Sequence, residues 1–166
     1  QEGYLFTTSL ANNLRYGEPN ASLKRVEDSA IQARLIEDIR GFPDGFQTLV
    51  GERGITLSGG QRQRTALGRA ILVTSPILVL DDALASVDNE TASQIISEIR
   101  RSKGRTIILI SHQLSAAAAC DRILVLENGR LIQQGKHNSL MQKSGLYKEM
   151  WEKQKKYQNR DKRDVF

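Results

Sequence analysis

Two short apolar runs constrain the fold of this chain more than any other feature. Residues 77–80 and Thr106–Ile110 are apolar on nearly every side of an extended backbone, as is typical of central strands in a parallel sheet with helices on both faces. Between them, Asp88 can cap a helix whose apolar stripe repeats at helical spacing, at Ala92, Ile95, Ile96 and Ile99. Strand and helix alternate, which predicts an α/β fold with a largely parallel sheet.

Local signals predict the remaining elements. Ser22 and Ser58 can each cap a helix, and the second of these helices is expected to end before Pro76, which disfavours helical geometry at the preceding residue. The Phe-Pro-Asp-Gly sequence at residues 42–45 predicts a turn that ends the first helix. An Asn-Gly pair at residues 128–129 predicts a hairpin. A last helix is expected to carry Tyr147, Met150, Trp151 and Gln154.

The composition is that of an ordinary globular protein, with 39% apolar and 26% charged residues. No apolar run is long enough to cross a bilayer. The single cysteine, Cys120, excludes an internal disulfide and fits a reducing compartment. The net charge is +5, and part of the excess lies in a basic tail at residues 153–163. Because aromatic residues do not alternate with basic ones in a stripe, we expect no nucleic acid partner.

The start of the Ser58 helix is predicted to bind phosphate. Gly59 and Gly60 fall in the first turn, where backbone N–H groups have no partner inside the helix. Glycines carry no Cβ, so an anion can approach these groups closely, and the helix dipole favours it there. The Ser58 hydroxyl adds a donor. A capped helix with a tight entry turn would explain the same residues without a ligand.

Polar residues also follow both predicted strands. Asp81 and Asp82 come after the first strand, and Ser111 and His112 come after the second. Ligands bind at the carboxyl ends of strands in open parallel sheets. One acid at that edge can hold Mg²⁺, a second can position or deprotonate a water, and an imidazole can donate to a phosphate oxygen. Each feature alone is common without a ligand, but their order and spacing together favour a nucleotide site.

These residues, in this order, resemble the ATP-binding domain of ABC transporters. The sequence Leu-Ser-Gly-Gly-Gln-Arg-Gln-Arg at residues 57–64 is similar to the signature motif of that family. Residues 77–82 resemble its Walker B strand, and residues 86–88 resemble its D-loop. His112 resembles the switch histidine, and Gln1 stands in the place of the Q-loop glutamine.

The resemblance extends from Gln1 to about Trp151. Residues 50–54 are similar to the loop by which exporter-type domains contact their membrane domains, which favours export, although a glycine-rich surface loop is also consistent with them. The resemblance implies a partial P-loop NTPase (RecA-like) core of the α/β class, with a mainly helical subdomain that carries the signature. We expect that subdomain in residues 1–74, the C-terminal half of the core in residues 75–151 and a charged tail in residues 152–166.

In this family two ATPase domains face each other, and each ATP lies between the P-loop of one and the signature of the other. The resemblance therefore implies that ATP on a partner domain is bound by Leu57, Ser58, Gly59, Gly60 and Gln61. Asp81 would hold Mg²⁺ through water, and Gln1 would contact the Mg²⁺ shell. The other implied site residues are the catalytic Asp82, His112 and Gln1 and the D-loop residues Ser86 and Asp88.

Two departures from the family pattern bear on activity. No Gly-x-x-x-x-Gly-Lys-Ser/Thr motif occurs in the sequence, so we expect the P-loop upstream of Gln1 and no ATP hydrolysis by residues 1–166 alone. The family's usual glutamate after Asp81 is replaced by Asp82, which is shorter by one methylene. Misplacement by about 1 Å can cost on the order of a hundredfold in rate, so the site on this subunit is expected to be slow.

Our first hypothesis is a half-transporter of a multidrug or lipid exporter at the cytoplasmic face of the plasma (inner) membrane, with ATP and Mg²⁺ as cofactors. Its partners would be the transmembrane domain of the same transporter and a second ABC ATPase domain, and Asp82 favours a heterodimer over a homodimer. A soluble ABC-type ATPase of DNA maintenance and a truncated, non-enzymatic interaction module are the alternatives. A sheet without upstream strands would expose apolar surface, so we expect the isolated chain to be marginally stable.

Overall fold

The computed structural model describes residues 4–101 and 104–161. The chain divides after residue 112 into two compact units, each described by itself. The elements of the first unit are α1 (Leu10–Leu14), α2 (Leu23–Gln32), α3 (Ile36–Gly41), α4 (Gly59–Leu72), β1 (Ile77–Asp81), α5 (Asn89–Arg101) and β2 (Thr106–Ile110). Those of the second are α6 (Leu114–Ala118), β3 (Ile123–Glu127), β4 (Arg130–Gly135), α7 (His137–Met141) and α8 (Leu146–Asp161). Single 3₁₀ turns lie at Arg15–Gly17, Gly45–Gln47 and Glu52–Gly54.

The N-terminal part of the first unit is helical. Ser22 caps α2, as predicted, by accepting from the Arg25 N–H at 3.4 Å. The expected end of this helix at residues 42–45 was wrong: α2 ends at Gln32, because Arg34 adopts a left-handed φ of 55° that a helix cannot continue. A separate helix, α3, fills the interval. The core of this part is formed by Leu5, Leu10, Leu14, Ala21, Val26, Ala30, Leu35, Ile39, Val50, Leu57 and Leu72.

The two strands of the first unit are parallel, in a register that pairs Ile77 with Thr106 and Asp81 with Ile110. The expectation that both faces would be buried was wrong within the described residues. Leu78 is buried at 6% exposure, whereas Val79 on the opposite face is 57% exposed. Within the described residues of the first unit, helices pack against one face of this strand pair only. The exposed apolar surface that we expected is therefore present.

Helix α5 follows the predicted pattern. Its cap is Asp88, whose carboxylate accepts from the backbone N–H groups of Glu90 and Thr91 at 3.1 and 2.9 Å. The predicted apolar stripe is buried throughout, with Ala92, Ile95, Ile96 and Ile99 each at most 1% exposed. Helix α4 begins after Ser58 and ends at Leu72, before Pro76, also as predicted.

The second unit contains an antiparallel hairpin of β3 and β4. Asn128 and Gly129 connect the strands with φ angles of 49° and 74°, the positive values that a two-residue hairpin turn requires. The small core of this unit consists of Leu114, Ile123, Val125, Leu140 and Tyr147. Across the described ranges, no helix combines the length and the apolar character that a membrane span needs.

Candidate functional site

The first turn of α4 is held in shape by reciprocal hydrogen bonds. The Ser58 Oγ accepts from the Gln61 N–H at 3.2 Å, and the Ser58 N–H donates to the Gln61 Oε1 at 2.9 Å. This capping box satisfies two backbone donors, whereas helix geometry gives the N–H groups of Gly59 and Gly60 no intrahelical acceptor. Leu57 is 4% exposed and anchors the turn in the core. The residues expected to bind phosphate thus form a preorganised helix N-terminus.

The approach to this N-terminus is open at Gly59. A Cβ added there would meet nothing closer than the Arg62 Nη2, at 3.9 Å. Gly60 is more confined, because a Cβ on it would lie 3.2 Å from the Ser86 carbonyl oxygen. The first glycine therefore leaves space on the outer side of the turn, and the second allows the D-loop segment to approach α4.

Asp38 on α3 also stabilises the first turn of α4. Its two carboxylate oxygens accept from the Gln61 Nε2 at 2.9 Å and from the Arg64 Nη2 at 2.8 Å. The side chains of Arg64 and Asp38 are only 17% and 23% exposed, so this ion pair is largely shielded from solvent. Sequence reasoning missed Asp38, because it lies 23 residues before Gln61 and no local pattern links them.

The parallel pairing brings the other predicted residues together at the ends of β1 and β2. A cavity of about 260 Å³ is lined by Asp81, Asp82, Ile110, Ser111 and His112. The Asp82 N–H donates to the Ile110 carbonyl at 2.9 Å, which extends the strand pairing by one residue. Asp82 then turns sharply, with a left-handed φ of 48°. The carboxylates and the imidazole expected at one edge therefore do share one cavity.

The segment after Asp82 leads directly to the cap of α5. Asp88 accepts the two backbone hydrogen bonds described above, and hydrogen bonds from the side chain and backbone of Thr91 hold the pKa of Asp88 below its ordinary value. Ser86, the other predicted D-loop residue, donates its N–H to the Gln63 Oε1 at 2.6 Å. The D-loop segment is thereby attached to α5 at one end and to α4 at the other.

Arg69, near the end of α4, connects this helix to the beginning of the described chain. Its guanidinium donates to the carbonyl oxygens of Tyr4 and Asn13, each at 2.9 Å. Burial lowers the pKa of Arg69, so these acceptors offset the cost of holding the cation away from water. Gln1, predicted as a catalytic and Mg²⁺-contacting residue, lies outside the described residues.

The edge carboxylates fit Mg²⁺ bound together with a nucleotide better than a metal site made by protein alone. Within residues 4–101 and 104–161, no group of three or more His, Cys, Asp or Glu side chains is arranged to hold a metal ion. Mg²⁺ is commonly bound by one or two carboxylates together with substrate phosphates. Asp81, the predicted Mg²⁺ residue, lines the cavity at the strand ends beside Asp82, so a carboxylate of the kind that such a site needs is present there.

Comparison with known proteins gives consistent matches. The family model described as "ABC transporter" matches residues 3–85. The multidrug resistance-like ATP-binding protein MdlA of Escherichia coli (strain K12) is 44% identical over 152 residues, covering 91% of this chain and 26% of that protein. The ATP-dependent lipid A-core flippase of Saccharophagus degradans is 42% identical over 155 residues, covering 93% of this chain and 26% of the flippase.

A solved structure agrees with these relatives. The structure of a bacterial Atm1-family ABC exporter with ATP bound superposes with a TM-score of 0.85 at 42% identity, over 93% of this chain and 27% of that one. This chain therefore spans about a quarter of the length of the proteins that it matches. The match confirms the expected α/β fold of an ABC-type ATPase. By its family match, its relatives and its fold, the chain belongs to the ABC transporter family.

Proposed function

We propose that this chain is the signature-bearing part of an exporter ATPase domain, and that the full protein uses ATP hydrolysis to move substrates across a membrane. The observation that carries the proposal is the preorganised first turn of α4, whose glycine N–H groups have no acceptor within the helix. The relatives described above carry names from multidrug resistance, lipid flipping and export, which favours this function over DNA maintenance.

In the proposed mechanism, the first turn of α4 binds the γ-phosphate of ATP held by a second ATPase domain. The N–H groups of Gly59 and Gly60 and the hydroxyl of Ser58 donate to the phosphate oxygens, and the dipole of α4 favours the negative charge. The Ser58 Oγ already accepts from Gln61, so its own hydrogen is available for donation. Leu57 and Gln61 hold the turn in place.

The cavity at the strand ends acts on the nucleotide of the same subunit. Asp81 would hold Mg²⁺ through water, with Gln1 near its shell, and the ion would neutralise phosphate charge. Asp82 orients or deprotonates the attacking water, and His112 donates to the γ-phosphate. The Asp82 carboxylate is shorter than the glutamate usual in the family, so this site hydrolyses ATP slowly. Ser86 and Asp88 carry the D-loop that faces the second domain.

The proposed partners are a second ABC ATPase domain and the transmembrane domain of the transporter. The short acid at Asp82 favours a heterodimer whose other site is competent. Leu49 and Ile55, which flank the loop at residues 50–54, are 72% and 80% exposed. Apolar side chains so exposed at one loop suit a contact with another domain. Such a contact would place the ATPase domain at the cytoplasmic face of the plasma (inner) membrane.

A single substitution tests the proposal in the full-length protein reconstituted in lipid. Gly59→Asp sets a carboxylate where the phosphate would bind, so ATP turnover should fall at least about tenfold, as for the loss of other preorganised donors. Gly41→Asp is the matched control, since a Cβ at Gly41 meets nothing within 4 Å. Unchanged turnover in Gly59→Asp would contradict the phosphate role. Dimerisation without any turnover in the wild type would instead identify an interaction module.

A further inference from the structure

The side chain of Gln63 joins α4 to the segment that follows β1. Its Nε2 donates to the Asp82 carbonyl at 3.1 Å, and its Oε1 accepts from the Ser86 N–H at 2.6 Å. Gln63 lies one turn after Gly60, on the same face of α4, and a Cβ on Gly60 would lie 3.2 Å from the Ser86 carbonyl. One face of α4 therefore contacts the segment after β1 at two positions, Gly60 and Gln63.

The two hydrogen bonds of Gln63 hold residues 82–86 near their start and at their end. Within the segment, the Asp82 carbonyl also accepts from the Ala85 N–H at 3.2 Å, so both of its acceptor positions are used. Asp82 is in the left-handed region at a φ of 48°, a conformation that an L-residue adopts at a cost. The hydrogen bond that Gln63 donates to the Asp82 carbonyl stabilises this turn, and the turn sets the direction of the Asp82 side chain.

Few side chains can replace Gln63 in this arrangement. The contacts need a donor and an acceptor on one planar group, which amides provide and neutral histidine also provides, but with its two nitrogens fixed in a shorter, rigid ring. Asparagine has the group but is one methylene shorter, so it cannot reach both partners from the same backbone position. Methionine matches the length of Gln63 but provides neither strong donor nor strong acceptor.

We propose that Gln63 is a positioning residue that couples the two phosphate-facing parts of this subunit. The first turn of α4 acts on ATP held by the partner domain, and Asp82 acts on ATP held by the same subunit. Gln63 fixes the backbone that carries Asp82 and Ser86 relative to α4, so that a displacement of α4 on ATP binding moves the catalytic acid and the D-loop with it. This inference rests on the proposed function, because the coupling matters only if both parts act on nucleotides.

The test compares Gln63→Met and Gln63→Glu with the wild type in the full-length protein in lipid. Because the partner's site is proposed to be the faster one, hydrolysis at this subunit's own site is followed separately, by subunit-specific photolabelling of trapped nucleotide over a range of ATP concentrations. The rate is divided by the number of nucleotide sites titrated with a fluorescent ATP analogue. The turnover per site is then unaffected by a loss of folded protein. We expect Gln63→Met to lower the turnover per site at least about tenfold while KM changes less than about threefold, because positioning acts on the chemical step.

Gln63→Glu separates the two hydrogen bonds. A carboxylate still accepts from the Ser86 N–H but cannot donate to the Asp82 carbonyl, so its turnover should fall between those of the wild type and Gln63→Met. The matched control is Gln94→Met on α5, which removes one exposed hydrogen bond, from Gln94 Nε2 to Glu90 at 3.3 Å. This control should change turnover less than about twofold.

The outcomes are distinct. The inference is overturned if the wild type hydrolyses ATP and Gln63→Met keeps a turnover per site within about twofold of the wild-type value. A rise in KM that accounts for the whole loss also overturns it, because Gln63 would then act on binding. If Gln63→Met does not assemble, Gln63→Glu is used instead, and a turnover per site within about twofold of the wild type again overturns the inference. Absence of hydrolysis by the wild type overturns the proposed function itself, and this inference falls with it.

Discussion

At the scale of the residue, Asp82 is subject to two constraints at once. Its side chain lines the cavity at the strand ends, where a longer acid would reach further toward a nucleotide. Its backbone holds a φ of 48°, in a region where aspartate is several-fold enriched over most residues. The shorter acid thus suits the turn while it limits the reach of the carboxylate.

Substitution of Asp82 by glutamate tests which constraint dominates. In the proposed full-length heterodimer we expect Asp82→Glu to raise ATP hydrolysis at this subunit's site, because the added methylene restores about 1.5 Å of reach. The left-handed backbone should cost the variant no more than about 1 kcal/mol of stability. Nucleotide trapped at each site can be measured by subunit-specific photolabelling. No gain at this site would count against the proposal that the short acid at Asp82 makes the site slow.

Asp88 gives a prediction about pH. Hydrogen bonds from Thr91 lower the pKa of Asp88 in the folded state, so its charge stabilises the fold above the ordinary pKa, and that contribution disappears as pH falls through the folded pKa. Asp88→Asn keeps an acceptor for the cap but removes the charge near the N-terminus of α5. Its free energy of unfolding at pH 7 should be lower by about 0.3–1 kcal/mol.

Urea unfolding of the wild type and Asp88→Asn between pH 2 and pH 7 measures this difference. It should be constant near neutrality, begin to shrink below about pH 4, where the unfolded aspartate becomes protonated, and disappear once the pH has fallen through the lower pKa of the folded state. A difference that stays the same across the whole range would show that the charge of Asp88 contributes nothing.

At the scale of the element, α4 is stabilised at both ends by residues outside it. Its N-terminus has the capping box and Asp38. At its C-terminus, Arg105 donates to the carbonyl oxygens of Ile71, Val73 and Ser75. The Arg25 Nη2 donates to the Leu72 carbonyl at 2.9 Å. These cations satisfy carbonyls that the end of a helix leaves without partners, and they complement its dipole.

Removal of Arg105 should therefore destabilise the first unit. Arg105→Met keeps part of the apolar stem but leaves several half-buried carbonyls without a donor, and we expect a loss of about 2 kcal/mol in unfolding free energy. Arg101→Met is the control, because that side chain is 74% exposed and forms a surface ion pair with Glu98. Urea denaturation of both variants measures the contrast. Equal effects would contradict the role given to Arg105.

Elements marked by residues within or beside them could be predicted from the sequence, whereas contacts between residues far apart in the chain could not. The caps at Ser22, Ser58 and Asp88 and the Asn-Gly turn lie within a few residues of the elements that they define, so each was found from sequence. The contacts of Gln63 with Asp82 and of Asp38 with Gln61 span 19 and 23 residues. No local periodicity encodes such pairs. The parallel arrangement of β1 and β2 was predictable. The apolar pattern of these strands alone did not indicate that one face of the pair would be left uncovered.

At the scale of the whole molecule, both units present apolar sheet faces. Val79 and Ile108 are 57% and 48% exposed in the first unit, and Leu124 and Leu126 are 55% and 67% exposed in the second. Adjacent exposed side chains of this kind form the surfaces by which proteins associate. Residues 1–166 studied alone should consequently be prone to self-association.

Two conservative substitutions test this expectation. Val79→Thr with Ile108→Thr adds hydroxyls to the exposed face of β1 and β2, and should lower the weight-average mass of residues 1–166 in sedimentation experiments at tens of micromolar. Ile31→Thr is the control, because Ile31 is 42% exposed but lies on helix α2. If the control lowers the mass as much as the paired variant, the sheet face is not the surface responsible.

The close approach of Gly60 to the Ser86 carbonyl also bears on how such sequences diverge. A Cβ at position 60 would lie 3.2 Å from that oxygen, so a larger residue can be accepted only where the D-loop backbone has shifted. The shift would in turn lengthen the hydrogen bond from Ser86 to Gln63. Positions 60, 63 and 86 are thus expected to change together during evolution, and a lineage that loses one of these contacts has less reason to keep the others.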